Sequence, residues 1–360
     1  MDARGDSELT GSREGPAPAY PEDVARVLSH LAHLIDRSIE LRGTGSGTRS
    51  FAARHLGLPS HRVVCTTRTL GPLRFQLTAL ALGRAMKEHP PVAVVGEDAD
   101  EPPRYEQLDL GDERVSVPHT LAAAFDAGTV APCALVVSLG PTFDDERLVC
   151  CVWSGADDAA VAADWLGVLI ESAHDSNPFR RRTLLAGVPA HFGLRFTVAD
   201  VVGTTRDDLV LPPRVWEEVD ASVHGLFASV DRLRAAGLAC NRGLLLAGPP
   251  GTGKTGICRV LATELRGEVT IVFCDAKAVV HTVESLYREL EHLAPALVVM
   301  EDLDLVVGHR HGGSDSLVGF LLALDGAMSA HAGVVTVATT NDPDAIDAAA
   351  RRAGRFDRVV

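Results

Sequence analysis

An α/β architecture in two domains is predicted for this 360-residue chain. Three observations carry the prediction. Short apolar runs that read as strands alternate with longer segments of helical periodicity. One glycine-rich octet joins such a strand directly to such a helix. The length, with 46% apolar residues, suffices for two separate cores.

The octet is Gly248-Pro249-Pro250-Gly251-Thr252-Gly253-Lys254-Thr255. It follows the apolar run Leu244–Ala247 and opens a predicted helix, Thr255 to Arg266. The spacing G-x-x-x-x-G-K-T in a strand–loop–helix setting is that of a phosphate-binding loop. Its backbone N–H groups wrap phosphates, and glycine is needed where a Cβ would block close approach. The helix that follows adds the positive end of its dipole. Lys254 is expected to reach the β/γ-phosphates, and the Thr255 hydroxyl to ligate Mg²⁺. The nucleotide contacts are thus expected from Gly248, Pro249, Pro250, Gly251, Thr252, Gly253, Lys254, Thr255 and the adjoining Gly256.

Charge narrows the partners. With 34 basic against 48 acidic residues the net charge is −14, which argues against a general nucleic-acid surface. Lysine occurs only at Lys87, Lys254 and Lys277, so the octet keeps a lysine where the chain otherwise uses arginine. The seven cysteines form no C-x-x-C pair and read as thiols in a reducing cytoplasm. No apolar run approaches the length of a membrane span, and the N-terminus lacks a signal-peptide core.

Along the chain, residues 1–20 are polar and Gly/Pro/Ser-rich and read as a disordered tail. Residues 21–50 read as a helix, with Val24, Val27, Leu28, Leu31, Leu34 and Ile35 on one face, followed by a Gly/Ser linker. Residues 51–195 read as an α/β domain. Its strands are expected at Arg62–Thr67, Val92–Val95, Ala134–Leu139, Leu148–Trp153 and Thr183–Ala186, and its helices at Leu73–Lys87 and Ala156–His174. Glu97 to Arg114, with eight acids against two arginines, reads as a solvated loop. Arg180-Arg181-Arg182 reads as a basic turn.

The second domain is expected over 196–360. After a helix at Pro213–Leu233 and the octet come strands Val269–Cys274, Ala296–Met300 and Val334–Ala338, with helices Val283–Leu293 and Asp315–Met328. The third strand of this domain ends in Glu301-Asp302-Leu303-Asp304. Acids at the end of a buried strand beside a phosphate loop can hold Mg²⁺ through water or polarise the attacking water. The fourth strand ends in Thr339-Thr340-Asn341, where Asn341 could orient that water. Arg351-Arg352-Ala353-Gly354-Arg355-Phe356-Asp357-Arg358 could form a solvated face or point at a neighbouring subunit's γ-phosphate.

Together these residues resemble the AAA branch of the AAA+ ATPases, over about residues 196–360. GPPGTGKT (248–255) is similar to Walker A, LVVMEDLD (297–304) to Walker B, and VATTN (337–341) to the strand carrying sensor 1, at Asn341. Asp325-Gly326 is similar to an element that signals between subunits. RRAGRFDR (351–358) is similar to the region carrying trans-acting arginine fingers, at Arg352 and Arg355. The resemblance implies a P-loop NTPase parallel sheet flanked by helices, ATP and Mg²⁺ as cofactors, and Glu301 as the Mg²⁺ acid. It also implies a homo-oligomeric ring, commonly a hexamer, that hydrolyses ATP to remodel a protein bound by the N-terminal domain. An arginine finger in trans makes assembly part of catalysis.

Three features depart from the family pattern. The Walker B acids, usually Asp-Glu, are Glu301-Asp302, as in the branch similar to the mitochondrial translocase of the Rieske protein. The stretch Asp275–Thr282 lacks the aromatic residue with which translocating relatives grip a polypeptide. The arginine cluster is followed by Val359 and Val360, where the family continues into a helical lid. A nucleotide-gated binding module with little or no hydrolysis is therefore the alternative expectation.

Overall fold

Two sheets organise the protein, described by a computed structural model over residues 46–98, 100–142, 147–188, 194–201, 203–274, 276–304, 333–342 and 356–360. The first is antiparallel. Its strands are β1 (Val63–Thr69), β2 (Ala93–Val95), β3 (Arg104–Asp109), β4 (Arg114–Phe125), β5 (Leu135–Pro141) and β6 (Leu148–Gly155). They run in the order β1-β6-β5-β4-β2, with β3 also on β4. Successive side chains of a strand point to opposite faces. Accordingly Leu121, Ala123 and Phe125 of β4 meet helices α2 (Pro72–Glu88) and α3 (Ala159–Asp175), while Ala122 and Ala124 meet α1 (Ser46–Leu56).

The acidic stretch 97–114 is not a loop throughout. Residues 104–109 form β3, which turns at Gly111 into the 12-residue β4. Asp109 Oδ1 accepts the Gly111 N–H at 2.8 Å and holds that turn. Leu108 and Leu110 are buried, so the hairpin carries these leucines inward, while Asp112 and Glu113 at its turn stay in solvent. Pro118 and the run of alanines hide β4 from propensity-based reading.

The second sheet comprises β7 (Thr183–Gly187), β8 (Arg195–Val198), β9 (Arg242–Ala247), β10 (Thr270–Cys274), β11 (Ala296–Met300), β12 (Val334–Thr340) and β13 (Phe356–Val359). The order is β13-β9-β12-β11-β10-β7-β8, parallel throughout except for β7 against β8. Both faces are buried, as parallel sheets require. Leu245, Val272, Val298 and Ala338 face α8 (Ala276–Leu290). Leu244, Leu246, Ile271, Leu297 and Val337 face α4 (Pro213–Ser222), α5 (His224–Phe227), α6 (Val230–Ala235) and α7 (Lys254–Glu264). Each such aliphatic side chain contributes ~1.5–3 kcal/mol through burial. The single helix expected at Pro213–Leu233 is thus three short ones.

The strand expected at Thr183–Ala186 in the first domain joins this second sheet, parallel to β10. Ile271 N–H donates to Arg182 O at 2.9 Å, and Thr270 Oγ1 accepts the Arg181 N–H at 2.9 Å. Parallel neighbours are non-local, so nothing in residues 183–187 announces their partner.

Residues 47–360 form one compact unit, and one hydrophobic core runs from α2 and α3 to α8 and the parallel sheet. Two of the three consecutive arginines stitch this junction. Arg180 Nε donates to His292 O at 3.1 Å, and Arg182 Nη2 pairs with Asp112 at 2.8 Å. The Glu289 carboxylate of α8, 1% exposed, accepts the Leu73 N–H at 3.0 Å and a second bond from the Arg74 N–H. Gly71 provides no side-chain cap for α2, so Glu289 satisfies its orphan N–H groups from 216 residues away.

Glu289→Ala is expected to cost about 1–2 kcal/mol, read as a lower urea midpoint. Burial raises the Glu289 pKa above the ordinary carboxylate value, against the opposing backbone hydrogen bonds. The folded state therefore holds this proton more tightly than the unfolded chain. The resulting stability is full below the unfolded carboxylate range and is lost as pH rises through the folded value. Glu289→Gln should remove that slope from urea midpoints measured across the acidic range. No described helix is long and apolar enough to cross a membrane.

Candidate nucleotide-binding site

In the parallel sheet the chain leaves β9 for β10 on one side, returns through β11 and β12, and ends with β13 on the other side of β9. The strand order therefore reverses beside β9, and open α/β sheets bind ligands beyond the carboxyl ends of the strands at such a point. The octet, the Glu-Asp pair and Asn341 follow the carboxyl ends of β9, β11 and β12 respectively.

The octet forms a tight loop between β9 and α7. Gly251 and Gly253 have φ of 83° and 97°, a left-handed conformation that side chains rarely adopt. Thr252 Oγ1 donates to Pro249 O at 2.9 Å, and the Gly248 N–H donates to Thr340 O at 3.3 Å, fastening the loop to β12. Lys254 opens α7 and folds back over the loop. Its Nζ donates to Gly248 O at 2.6 Å, Pro249 O at 3.0 Å and Asn341 Oδ1 at 2.9 Å.

Asn341 is the bridge of the site. Its Oδ1 accepts from Lys254, while its Nδ2 donates to Asp302 Oδ1 at 3.2 Å. The Asn341 N–H donates to Asp304 Oδ1 at 3.0 Å, which fixes the residue from its backbone. Asp302 has φ of 53°, and its N–H donates to Thr339 Oγ1 at 2.9 Å. Such left-handed backbone is uncommon outside glycine, though Asp and Asn adopt it most readily. Here it turns the chain sharply after β11 and brings the Asp302 carboxylate to Asn341.

Glu301 lies beside α7. Burial, and after it the Glu301 charge, push the Cys258 thiol up. Glu301 Oε1 is buried and accepts no hydrogen bond among the described residues. A buried carboxylate oxygen without a donor is costly unless a cation or water meets it. With the glycine cradle, the Lys254 ammonium and the exposed Thr255, this donor set fits a Mg²⁺-nucleotide. Lys254, Gly248–Thr255 and Gly256 would hold the phosphates, and Thr255 and Glu301 the metal, the latter through water.

Lys254, Asp302 and Asn341 are thus brought together. Pro249, Pro250, Gly251 and Thr252 lie exposed on the loop. Arg352 and Arg355 lie outside the described residues, as does Asp325-Gly326. Of the stretch 275–282, residues 276–282 begin α8. Thr339 and Asp304 were not singled out by sequence reasoning. Their signal was present, since each lies within two residues of a candidate and carries a short polar side chain.

Residues 244–360 match the sequence model of a family described as "ATPase family associated with various cellular activities (AAA)". Over this last third the chain resembles the AAA family. Human "ATPase family gene 2 protein homolog B" is 41% identical over 140 residues, covering 36% of this chain and 18% of the relative. "ATP-dependent zinc metalloprotease FtsH 2" of Sphaerobacter thermophilus is 36% identical over 169 residues, 43% of this chain and 26% of the relative. "Ribosome biogenesis ATPase RIX7" of Saccharomyces cerevisiae is 36% identical over 143 residues, 35% of this chain and 17% of the relative. The chain therefore spans between 17% and 26% of the length of these three relatives.

Proposed function

We propose that this protein is an ATP-hydrolysing machine that assembles as a homo-oligomeric ring, of six subunits by family resemblance, and remodels a protein partner. The observation that carries the reading is the chain of contacts Lys254–Asn341–Asp302 at the carboxyl ends of adjacent parallel strands. It joins the phosphate-binding cation to the acid that would act on water.

In this reading Lys254 leaves the Gly248 and Pro249 carbonyls for the β/γ-phosphates. Asp302 polarises the attacking water, and Asn341 orients it while holding the Asp302 carboxylate in place. Glu301 and Thr255 position the metal. Bound Mg²⁺-ATP would supply the transferable phosphoryl group and the cation that neutralises its charge. Arg352 and Arg355 would complete the site of the adjacent subunit. The antiparallel sheet with α1 to α3 takes the partner-binding role, by analogy with the place of such modules before an AAA domain. A cytoplasmic setting suits seven free cysteines, all but Cys65 buried.

The deciding measurement is ATPase rate per subunit against protein concentration, with oligomeric state followed in parallel. The rate per subunit is expected to rise with assembly. Arg355→Ala should lower it by roughly 10³-fold while leaving nucleotide binding intact. A rate independent of concentration would remove the shared site. Nucleotide binding with no phosphate release at any concentration would favour a nucleotide-gated binding module.

A further inference from the structure

The segment 203–211, which precedes α4, packs on the phosphate loop's own helix. Leu209 Cδ2 would lie 2.7 Å from a Cβ at Gly256, and Leu211 Cδ2 3.5 Å from one at Gly253. Gly256 is therefore small because Leu209 occupies the space beside it. The two leucines press on the last glycine of the loop and on the first turn of α7, the backbone that would face phosphates.

Among the described residues, Arg206 makes most of the side-chain hydrogen bonds between this strap and the helices beside it. Arg206 Nε and Nη2 donate to the two Glu264 oxygens at 2.6 and 2.9 Å, and Nη1 and Nη2 donate to the two Asp220 oxygens at 2.9 and 2.6 Å. The guanidinium also lies 4.7 Å from the centre of the Trp216 ring. Glu264 ends α7, while Asp220 and Trp216 belong to α4. Nearby, a capping box between Thr205 and Asp208 and the Thr204 N–H to Thr263 Oγ1 bond of 3.2 Å shape the turn from which Leu209 and Leu211 extend. Only a planar fork with several donors can meet two carboxylates in this way, and lysine cannot reproduce it. All three charged side chains are about a third exposed, at 35%, 40% and 30%. Their attraction is screened accordingly, and the contacts act more by fixing geometry than by adding stability.

We propose that Arg206 is a positioning residue for nucleotide binding: it clamps the strap so that Leu209 and Leu211 hold Gly253 and Gly256 in the phosphate-binding conformation. The proposal rests on the nucleotide reading given above and adds a residue that touches neither phosphate nor metal. Arg206 stands 42 residues before the octet, yet one of its two ion pairs, that with Glu264, ends on the octet's own helix.

The test is a titration of the full chain with the fluorescent nucleotide N-methylanthraniloyl-ADP and Mg²⁺, alongside ATPase kinetics. Arg206→Ala and Leu209→Ala are each expected to weaken binding about tenfold and raise KM for ATP alike, with kcat at saturation within about twofold. Arg206→Lys should recover only part of the affinity, a graded response that a general packing defect would not produce. If Arg206→Ala does not fold, Leu209→Ala carries the test with the ion pairs intact. Wild-type affinity in Leu209→Ala, or a loss confined to kcat, overturns the proposal. Lys254→Ala separates the two readings. If it binds the nucleotide as well as wild type does, the nucleotide site itself is misassigned. If it loses binding while Arg206→Ala and Leu209→Ala keep theirs, only the strap's role fails.

Discussion

Lys254→Ala is expected to lower the affinity for Mg²⁺-ATP and the turnover by ~10²-fold or more. Lys254 is the only side chain of the loop that brings a full positive charge to the phosphates. Its ammonium already makes three hydrogen bonds, to Gly248 O, Pro249 O and Asn341 Oδ1. These acceptors aim the lysine along the loop before any phosphate arrives, so little reorganisation is needed. Substitution removes both the charge and the side-chain bond from the octet to Asn341. Isothermal titration with Mg²⁺-ATP, followed by steady-state phosphate release, reads the two losses separately. Binding within threefold of wild type would contradict the assignment.

Asp302→Asn should separate chemistry from binding. Asparagine tolerates the left-handed backbone at this position, where φ is 53°, about as well as aspartate does. Its side-chain oxygen can still accept from Asn341 Nδ2, and its N–H can still donate to Thr339 Oγ1. What disappears is the negative charge that would polarise water. Turnover is expected to fall by about 10²–10⁴-fold, with Mg²⁺-ATP affinity nearly unchanged. Single-turnover phosphate release on pre-bound ATP gives the comparison. A variant that hydrolyses at the wild-type rate would move the role of base to Glu301 or elsewhere.

The Glu-Asp order of the acids gains a physical setting from these contacts. Aspartate is one methylene shorter than glutamate, so an acid in the second position needs a closer water. The left-handed turn at Asp302 brings the carboxylate to Asn341, which in turn accepts from Lys254. Glu301, one residue earlier, points to the side of the sheet where Cys258 of α7 lies. Consecutive residues at a strand end thus meet different partners, Cys258 for Glu301 and Asn341 for Asp302, which suits one to metal and the other to water.

The octet, the acidic pair and Asn341 were legible because their spacing is local. A loop that must wrap a phosphate writes its glycines into consecutive positions, and an acid that must sit at a strand end directly follows an apolar run. Periodicity likewise located β9 to β12 and α7. The hairpin of β3 and β4 was illegible for the opposite reason. Its acids and Pro118 look like loop chemistry, and the apolar residues that anchor it, Leu108 and Leu110, are few. The three helices between Pro213 and Ala235 share one apolar periodicity that the sequence continues across their breaks.

The sequence by itself determined that a phosphate loop would be followed, in order, by an acidic strand end and a polar one. This follows from local backbone requirements, which depend on residue type and spacing alone. Only the tertiary structure decided that β7 would extend the parallel sheet. It also decided that Glu289 would cap a helix 216 residues away, and that Arg206 would bind the octet's helix from a preceding strap. Those are pairings between segments distant in the chain. Their free energy comes from complementary charge, donors and surface brought together by folding, and neither partner carries a local mark of the other.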